Sequence, residues 1–165
     1  MIHILGEKSN SKLTKVQDGD SQPNAIDLRL GSVFAINNST FELSEGHKKH
    51  RGTFEIDHDQ DGWYDLAEGT YEVVMENIVT VGADEAGWVI TRSTLNRNGV
   101  FITSGLYDSG YNGVMAGAMH VRSGPVRIKK GTRVAQFLLF KAESLTLYNG
   151  SYGLNSEHDR KYTKE

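Results

Sequence analysis

Short runs of β-branched and aromatic residues alternate along this chain with clusters of glycine, asparagine, aspartate and serine. The runs predict strands, and the clusters between them predict turns. The predicted strands cover residues 53–56, 71–81, 88–91, 114–121 and 133–141. A chain of 165 residues with 18 glycines and this many turns favours an all-β fold, either a barrel or a jelly roll. A helical turn is predicted at residues 93–98, and residues 5–15 are a second helical candidate.

The charge pattern singles out one aspartate. Between Glu85 and Glu143, Asp108 is the only acidic residue, whereas eight lysine or arginine residues lie in the same segment. The whole chain has 21 acidic residues, so about seven would fall there if acids were spread evenly. The resulting positive field favours a polyanionic ligand. Because the net charge is -3 and the pI is near 6.1, the sequence predicts a small phosphate ligand and not a nucleic-acid polymer.

Glycine-rich and basic segments around Asp108 form an ordered set. Residues 105–113 (GLYDSGYNG) surround it with three glycines, which allow tight backbone turns. Residues 92–99 (RSTLNRNG) offer a serine hydroxyl, backbone N–H groups and two arginines to phosphate oxygens. The other segments of the set are residues 25–31 (AIDLRLG), 131–136 (GTRVAQ) and 148–153 (YNGSYG).

This order of motifs resembles that of the trimeric dUTPases and of the dCTP deaminases that share their fold. The resemblance covers most of the chain, although the tail at residues 148–153 is similar to the deaminase type and lacks the Gly-Gly-Phe-Gly pattern of the usual dUTPase tail. It implies a distorted jelly-roll-like β-barrel that assembles as a homotrimer. It also implies one dUTPase-like domain over residues 1–165. Residues 153–165 are polar, so this C-terminal tail is expected to be mobile without ligand.

The same resemblance implies hydrolysis of dUTP to dUMP and pyrophosphate, with Mg²⁺ held largely by the triphosphate. Asp108 is expected to orient and deprotonate the attacking water, and Asp27 to reach the metal through water. The other predicted substrate-binding residues are the phosphate positioners Arg92, Ser93, Arg97 and Gln136, the hairpin residue Gly105, Tyr111 beside the deoxyribose, and Tyr152 in the tail. Asp27 and Gln136 have an alternative role, which is to satisfy backbone groups at a strand end.

One position separates the two activities of this fold. The deaminases need a glutamate ten residues after the aspartate of the motif at residues 105–113, and Ala118 stands there in this chain. A methyl group cannot transfer a proton, and residues 109–142 contain no carboxylate. A zinc-based route is excluded because the chain has no cysteine. The residues therefore favour dUTP hydrolysis, with three alternatives: a dCTP deaminase, a relaxed pyrimidine dNTP diphosphohydrolase and a dUTP-sensing regulator that binds other proteins.

An acidic segment at residues 57–68 (DHDQDGWYDLAE) matches the calcium-binding EF-hand pattern. Its flanking segments predict strands, whereas an EF-hand needs helices, and Gly69 would break the second helix. We therefore expect a solvated loop without a role in catalysis, and calcium binding is the alternative.

Nothing in the chain predicts secretion or membrane contact. No segment resembles a signal peptide, and no run of 18 apolar residues occurs. The expected location is therefore the cytoplasm, and the expected partners are dUTP and identical subunits.

Overall fold

Antiparallel strands make up most of the structure, a computed structural model that describes residues 1–163. The strands are β1 (Lys12–Leu13), β2 (Ile26–Ile36), β3 (Glu42–Ser44), β4 (His47–Lys49), β5 (Thr53–Glu55), β6 (Trp63–Leu66), β7 (Gly69–Thr80), β8 (Glu85–Thr91), β9 (Val100–Thr103), β10 (Leu106–Tyr107), β11 (Asn112–Val121), β12 (Val126–Lys129) and β13 (Arg133–Lys141). One helical turn, α1 (Ser93–Arg97), follows β8, and a 3₁₀ turn (His158–Tyr162) lies near the C-terminus. Within residues 1–163, no helix is long and apolar enough to cross a membrane.

Nine of the strands form one curled antiparallel sheet. Its main path runs β10-β8-β13-β2-β7-β11-β9, with β1 added to β7 and β5 added to β2. The remaining strands form two small pairs, β3 with β4 and β6 with β12. The all-β, jelly-roll-like fold predicted from the sequence is therefore confirmed. Because β13 lies between β8 and β2, three of the predicted motifs meet at one end of the sheet.

The core is built from alternate residues of the long strands. Ile26, Leu28 and Leu30 on β2 have no exposed surface, and Met119 on β11 and Phe137 on β13 are equally buried. Each side chain of this kind contributes roughly 1.5 to 3 kcal/mol when it is removed from water. The strands that carry the predicted motifs are therefore fixed by the core.

Gly31 ends the motif at residues 25–31 and lies at a bulge in the pairing of β2 with β7, between Leu30 and Ser32. A Cβ atom at this position would lie 2.9 Å from the carbonyl oxygen of Val74, so a larger residue would push the two strands apart. The Gly31 carbonyl accepts a hydrogen bond of 2.9 Å from the Tyr64 hydroxyl. Burial raises the pKa of Tyr64 to about 12, which keeps this hydroxyl protonated. The glycine is therefore explained by close strand packing.

All five predicted strands are present, with small shifts in their bounds. β13 has the predicted bounds, and β7 and β11 each begin two residues earlier than predicted. The predicted helical turn is also confirmed as α1.

The second helical candidate, residues 5–15, is wrong. Asn10 and Ser11 donate their backbone N–H groups to the Glu85 carboxylate, at 2.9 and 3.0 Å, and this side chain replaces the helical hydrogen bonds.

The C-terminal segment packs against the sheet as far as it is described. The Tyr162 ring makes an edge contact with Phe34, at 5.8 Å between centroids, and Lys161 Nζ lies 2.9 Å from Glu72 Oε1. Gly153 and Asp159 are buried. The mobility expected of residues 153–165 stays a prediction, and residues 164 and 165 lie outside the described residues.

Candidate active site

A buried polar cluster lies where β2, β8 and β13 meet. Asp27 has no exposed surface, and its Oδ1 accepts a hydrogen bond of 3.0 Å from Gln136 Nε2. Its Oδ2 lies 3.3 Å from Arg92 Nε and 3.4 Å from Arg133 Nη1. The register explains the contact, because Gln136 is directly opposite Asp27 in the pairing of β13 with β2. We call these four residues the Asp27 cluster; its buried carboxylate orients three partly exposed side chains.

The other two predicted phosphate positioners, Ser93 and Arg97, lie on α1 beside the Asp27 cluster. The backbone N–H of Arg92 donates to the Val134 carbonyl at 3.2 Å, which ties the start of α1 to β13. Ser93 and Arg97 are both exposed. The turn ends at Gly99, whose φ of 70° is in the left-handed region that favours glycine. The fold therefore places all four predicted phosphate positioners at one end of the sheet.

Residues 105–113 make a tight turn from β10 into β11, as their glycines predict. We call this turn the hairpin, although β10 pairs with β8, and β11 pairs with β7 and β9. Gly110 has a φ of 84°, and the Tyr111 N–H donates to the Asp108 carbonyl at 3.0 Å. Two more backbone hydrogen bonds join the hairpin to Val81: the Gly110 N–H donates to Val81 at 3.0 Å, and the Val81 N–H donates to Tyr111 at 2.8 Å. These hydrogen bonds hold the hairpin in place without the Asp108 side chain.

Tyr111 is buried in the hairpin, and its ring is fixed from two sides. It makes edge contacts with Tyr107 and Tyr148, both at 5.3 Å between centroids. Its hydroxyl donates a hydrogen bond of 2.7 Å to the Val114 carbonyl. Burial, together with the nearby Asp159 carboxylate, raises the pKa of Tyr111 above its usual range, so the hydroxyl stays protonated. The ring can serve as a rigid wall for a ligand and not as a proton donor or acceptor in catalysis.

Three predicted substrate-binding residues line one cavity of about 220 Å³. Gly105 and Tyr111 come from the hairpin, and Tyr152 comes from the C-terminal segment. His158 and Asp159 of the same segment also line the cavity. Sequence reasoning missed these two residues, because they lie in a polar tail without a motif. Only the return of the chain over its own hairpin makes them neighbours of the predicted site.

Asp108 lies outside this cavity, in a surface groove that it shares with Glu143. Its side chain is exposed, and no hydrogen bond or ion pair holds its carboxylate within the part of the chain that the structure describes. Two basic residues of the charge pattern, Arg92 and Arg133, belong to the Asp27 cluster and do not line this groove. The carboxylate is therefore available to a water molecule or a ligand.

Asp108 and Arg92 lie at opposite ends of β8. Tyr107 pairs with Gly87, so Asp108 lies near Ala86, whereas Arg92 follows the last residue of the strand. Six residues of extended chain separate these two ends by about 20 Å. One chain therefore does not bring the predicted water-activating residue close to the predicted phosphate positioners.

The chain by itself does not fit a magnesium site. Asp27 is enclosed by two arginines and a glutamine, and it has no exposed surface for a hydrated ion. Mg²⁺ prefers several oxygen ligands in an octahedral arrangement. Among residues 1–163, no group of three acidic, histidine or cysteine side chains could hold a metal. The predicted contact of Asp27 with Mg²⁺ through water stays a prediction.

The position that separates hydrolase from deaminase has a carboxylate beside it. Ala118 on β11 is directly opposite Glu72 on β7. The absence of a carboxylate from residues 109–142 holds along the sequence, but strand pairing brings Glu72 from outside that segment opposite Ala118. Glu72 is already paired, since Lys161 Nζ lies 2.9 Å from its Oε1 and donates to its Oε2 at 3.2 Å.

Comparisons with known proteins agree with this fold. The sequence pattern of the family described as dCTP deaminase-like matches residues 2–142. The chain belongs to this family. Relatives in the family include the probable deoxyuridine 5′-triphosphate nucleotidohydrolase of Methanopyrus kandleri, which is 32% identical over 153 residues, covering 91% of this chain and 99% of the relative. The protein of the same name from Methanosarcina barkeri is 33% identical over 137 residues, covering 79% of each chain.

Solved structures of dCTP deaminase-like proteins and dUTPases have the same fold. The dCTP deaminase of Agrobacterium tumefaciens matches with a TM-score of 0.61 at 20% identity, and the match covers 78% of this chain and 42% of that one. A dUTPase variant of Staphylococcus bacteriophage 80alpha with dUpNHpp matches with a TM-score of 0.51 at 12% identity, covering 86% and 97%. A phage phi11 dUTPase variant, described with a structural Mg(II) ion, has a TM-score of 0.51 at 11% identity. The expected superfamily is therefore confirmed.

Proposed function

We propose that this protein hydrolyses dUTP to dUMP and pyrophosphate. The observation that carries the proposal is the combination of an oriented cationic cluster, a cavity with aromatic walls and an unpartnered carboxylate at the hairpin turn. Archaeal relatives at about 30% identity, which carry the name of dUTP nucleotidohydrolase, support it.

The proposed reaction breaks the bond between the α-phosphorus and the oxygen that bridges it to the β-phosphate. Asp108 orients a water molecule and takes one of its protons while the water oxygen bonds to the α-phosphorus. Pyrophosphate leaves with the bridging oxygen. Asp108 suits this role because its carboxylate is exposed and no internal hydrogen bond has to be broken first.

The Asp27 cluster and α1 bind the phosphate groups in this proposal. Arg92 and Gln136 donate to the phosphate oxygens, and Ser93 and Arg97 add a hydroxyl and a second guanidinium. Because the buried Asp27 carboxylate already orients Arg92 and Gln136, little reorganisation is needed when negative charge develops on the leaving group.

The cavity at the hairpin holds the pyrimidine nucleoside. Gly105 exposes backbone groups to the base edge, Tyr111 packs against the deoxyribose, and Tyr152 covers the site from the C-terminal segment. The fixed position of the Tyr111 ring favours a rigid wall that leaves no room for a 2′-hydroxyl.

A complete site requires two chains. The separation of about 20 Å between Asp108 and Arg92 along β8 is far longer than the few bonds that join the α- and γ-phosphates. The hairpin of one subunit therefore faces α1 of a neighbour. The proposed assembly is a homotrimer, in which cyclic symmetry produces three equivalent sites.

The substrate is taken as its Mg²⁺ complex. Mg²⁺ keeps several waters and binds phosphate oxygens well, so few protein ligands are needed. This agrees with the absence, among residues 1–163, of a side-chain cluster suited to a metal. The proposed location of the reaction is the cytoplasm.

The experiment is an incubation of the protein with Mg²⁺ and each deoxynucleoside triphosphate, in which pyrophosphate and ammonia are measured separately. We expect pyrophosphate from dUTP and no ammonia from any nucleotide. Binding of dUTP without release of pyrophosphate would instead support a dUTP-sensing protein. Equal turnover of dUTP and dCTP would support a relaxed pyrimidine diphosphohydrolase.

A further inference from the structure

The C-terminal segment is attached to the hairpin of its own chain by backbone hydrogen bonds. The Tyr148 N–H donates to the Ser109 carbonyl at 2.7 Å, and the Leu154 N–H donates to the Asn112 carbonyl at 3.0 Å. Gly153 fits closely here, since a Cβ on Gly113 would lie 2.8 Å from its Cα. The segment and the hairpin therefore form one unit around the cavity.

Asp159 is the only acidic residue among the residues that line this cavity, and it is 4% exposed. Its Oδ2 accepts a hydrogen bond of 2.6 Å from the Gly153 N–H, and its Oδ1 lies 2.9 Å from His158 Nδ1. A carboxylate can accept about four hydrogen bonds, so each Asp159 oxygen can accept one more in addition to these two contacts.

Two tyrosine hydroxyls of the cavity wall, those of Tyr107 and Tyr111, are directed to backbone carbonyls and not to Asp159. The Tyr111 hydroxyl donates to the Val114 carbonyl, and the Tyr107 hydroxyl points to the Ala116 carbonyl at 3.4 Å. Asp159 is therefore a buried carboxyl group on the cavity wall with acceptor positions that these two hydroxyls leave open. An N–H group of a ligand that faces a buried carboxylate stabilises it, whereas a ligand atom that faces it with a lone pair destabilises it.

We propose that Asp159 reads the base by accepting a hydrogen bond from the N3–H group of a uracil ring. The proposal rests on the proposed function, because that function places the pyrimidine in the hairpin cavity. Cytosine has a lone pair at N3, so it would present an acceptor to the carboxylate. A site built around a hydrogen bond discriminates strongly against a ligand that lacks the partner, because the buried group is then left unpaired. Asp159 thus sets the preference for uracil over cytosine.

The test measures binding of two non-hydrolysable analogues, those of dUTP and dCTP with an imido bridge between the α- and β-phosphates. Calorimetry on the full chain with Mg²⁺ provides both dissociation constants. We expect wild-type protein to prefer the uracil analogue by about tenfold or more, and Asp159→Asn to lose most of this preference. The asparagine keeps an acceptor for the Gly153 N–H, yet its amide can also donate to N3 of cytosine.

The matched control is Glu157→Gln, which makes the same change at an exposed position of the same segment. It should leave both dissociation constants unchanged. If Asp159 only holds the tail in place, Asp159→Asn will weaken both analogues equally and leave their ratio unchanged, which overturns the proposal. A wild-type preference for the cytosine analogue also overturns it. The proposed function is tested separately: it fails if wild-type protein releases no pyrophosphate from dUTP.

Discussion

Glu72 lies directly opposite Ala118 in the antiparallel pairing of β7 with β11. A carboxylate is therefore present close to the position at which deaminases of this fold need one. The two oxygens of Glu72 both contact Lys161 Nζ, at 2.9 and 3.2 Å, so this carboxylate is already engaged in an ion pair. We predict that wild-type protein releases no ammonia from dCTP, as measured in a coupled ammonia assay.

Two variants make this prediction specific. Ala118→Glu restores a carboxylate at the deaminase position, and Glu72→Gln removes the one across the strand pair. Ammonia formation by wild-type protein that disappears in Glu72→Gln would contradict the prediction and assign proton transfer to Glu72. Ammonia formation by the wild type and equally by Glu72→Gln would also contradict the prediction, and it would show that Glu72 does not transfer the proton.

Substitution of Asp108 separates binding from hydrolysis. Asp108→Asn keeps the shape of the side chain and can still accept a hydrogen bond from water, but it cannot take the proton. We expect turnover of dUTP to fall by roughly 10² to 10⁴, with the dissociation constant of the substrate unchanged or lower. Single-turnover kinetics and calorimetry measure the two quantities. Glu143→Gln, in the same groove, is the matched control and should retain full turnover.

Mixing two inactive variants tests whether each site is shared between chains. Asp108→Asn and Arg92→Ala should each lose most activity alone. If a trimer combines Asp108 of one chain with Arg92 of the next, random reassembly of an equal mixture restores about one quarter of the sites. The double variant, unfolded and refolded in the same way, should stay inactive. Failure of the mixture to regain turnover, with mixed trimers demonstrated by mass spectrometry, would refute a shared site.

The parts of this molecule that could be predicted from sequence are those that depend on local chemistry. The glycines at 105–113 are needed for a tight turn, and the basic run at 92–99 starts where a strand ends, so both motifs were found with their correct local structure. Strand positions followed from β-branched and aromatic runs for the same reason.

The parts that could not be predicted depend on which strands become neighbours. The pairing of Tyr107 with Gly87 sets the distance from Asp108 to Arg92, and no local pattern encodes that register. The position of Glu72 beside Ala118 has the same origin. Asp27 is a further case, because its enclosure follows from β13 lying next to β2. Strand pairing of this kind results from packing of the whole sheet.

The acidic segment at residues 57–68 is predicted to bind no calcium with micromolar affinity. Two of its carboxylates already accept hydrogen bonds from backbone N–H groups. Asp59 Oδ1 accepts from the Trp63 N–H at 2.8 Å, and Glu68 Oε1 accepts from the Gly124 N–H at 2.6 Å. β6 also occupies the second half of the segment, where an EF-hand would still be a loop. Calorimetric titration with Ca²⁺ checks this, and Glu68→Gln should leave dUTP turnover unchanged. Micromolar binding that Glu68→Gln abolishes would contradict the prediction.

The last prediction concerns Glu85, a carboxylate with no exposed surface that joins the N-terminal segment to β13. Burial alone would raise its pKa, but hydrogen bonds from Lys141, Ser11 and the Asn10 N–H outweigh it, so the pKa lies below its usual value. A carboxylate with a lowered pKa stabilises the fold above its unfolded pKa, near 4.3, and the contribution is lost as the pH falls through the folded value. Glu85→Gln should therefore reduce the free energy of unfolding by about 1 to 3 kcal/mol at pH 7.

Urea unfolding at several pH values between 7 and 3 measures this effect. The difference between wild-type protein and Glu85→Gln should be constant near neutral pH and should shrink below about pH 4.3, because only the wild type takes up the extra proton on unfolding. Asp84→Asn is the matched control, since it makes the same change in an exposed side chain one residue away. Its effect should be within about 0.5 kcal/mol at every pH. A difference for Glu85→Gln that stays constant down to pH 3 would show that its carboxylate charge does not contribute to stability.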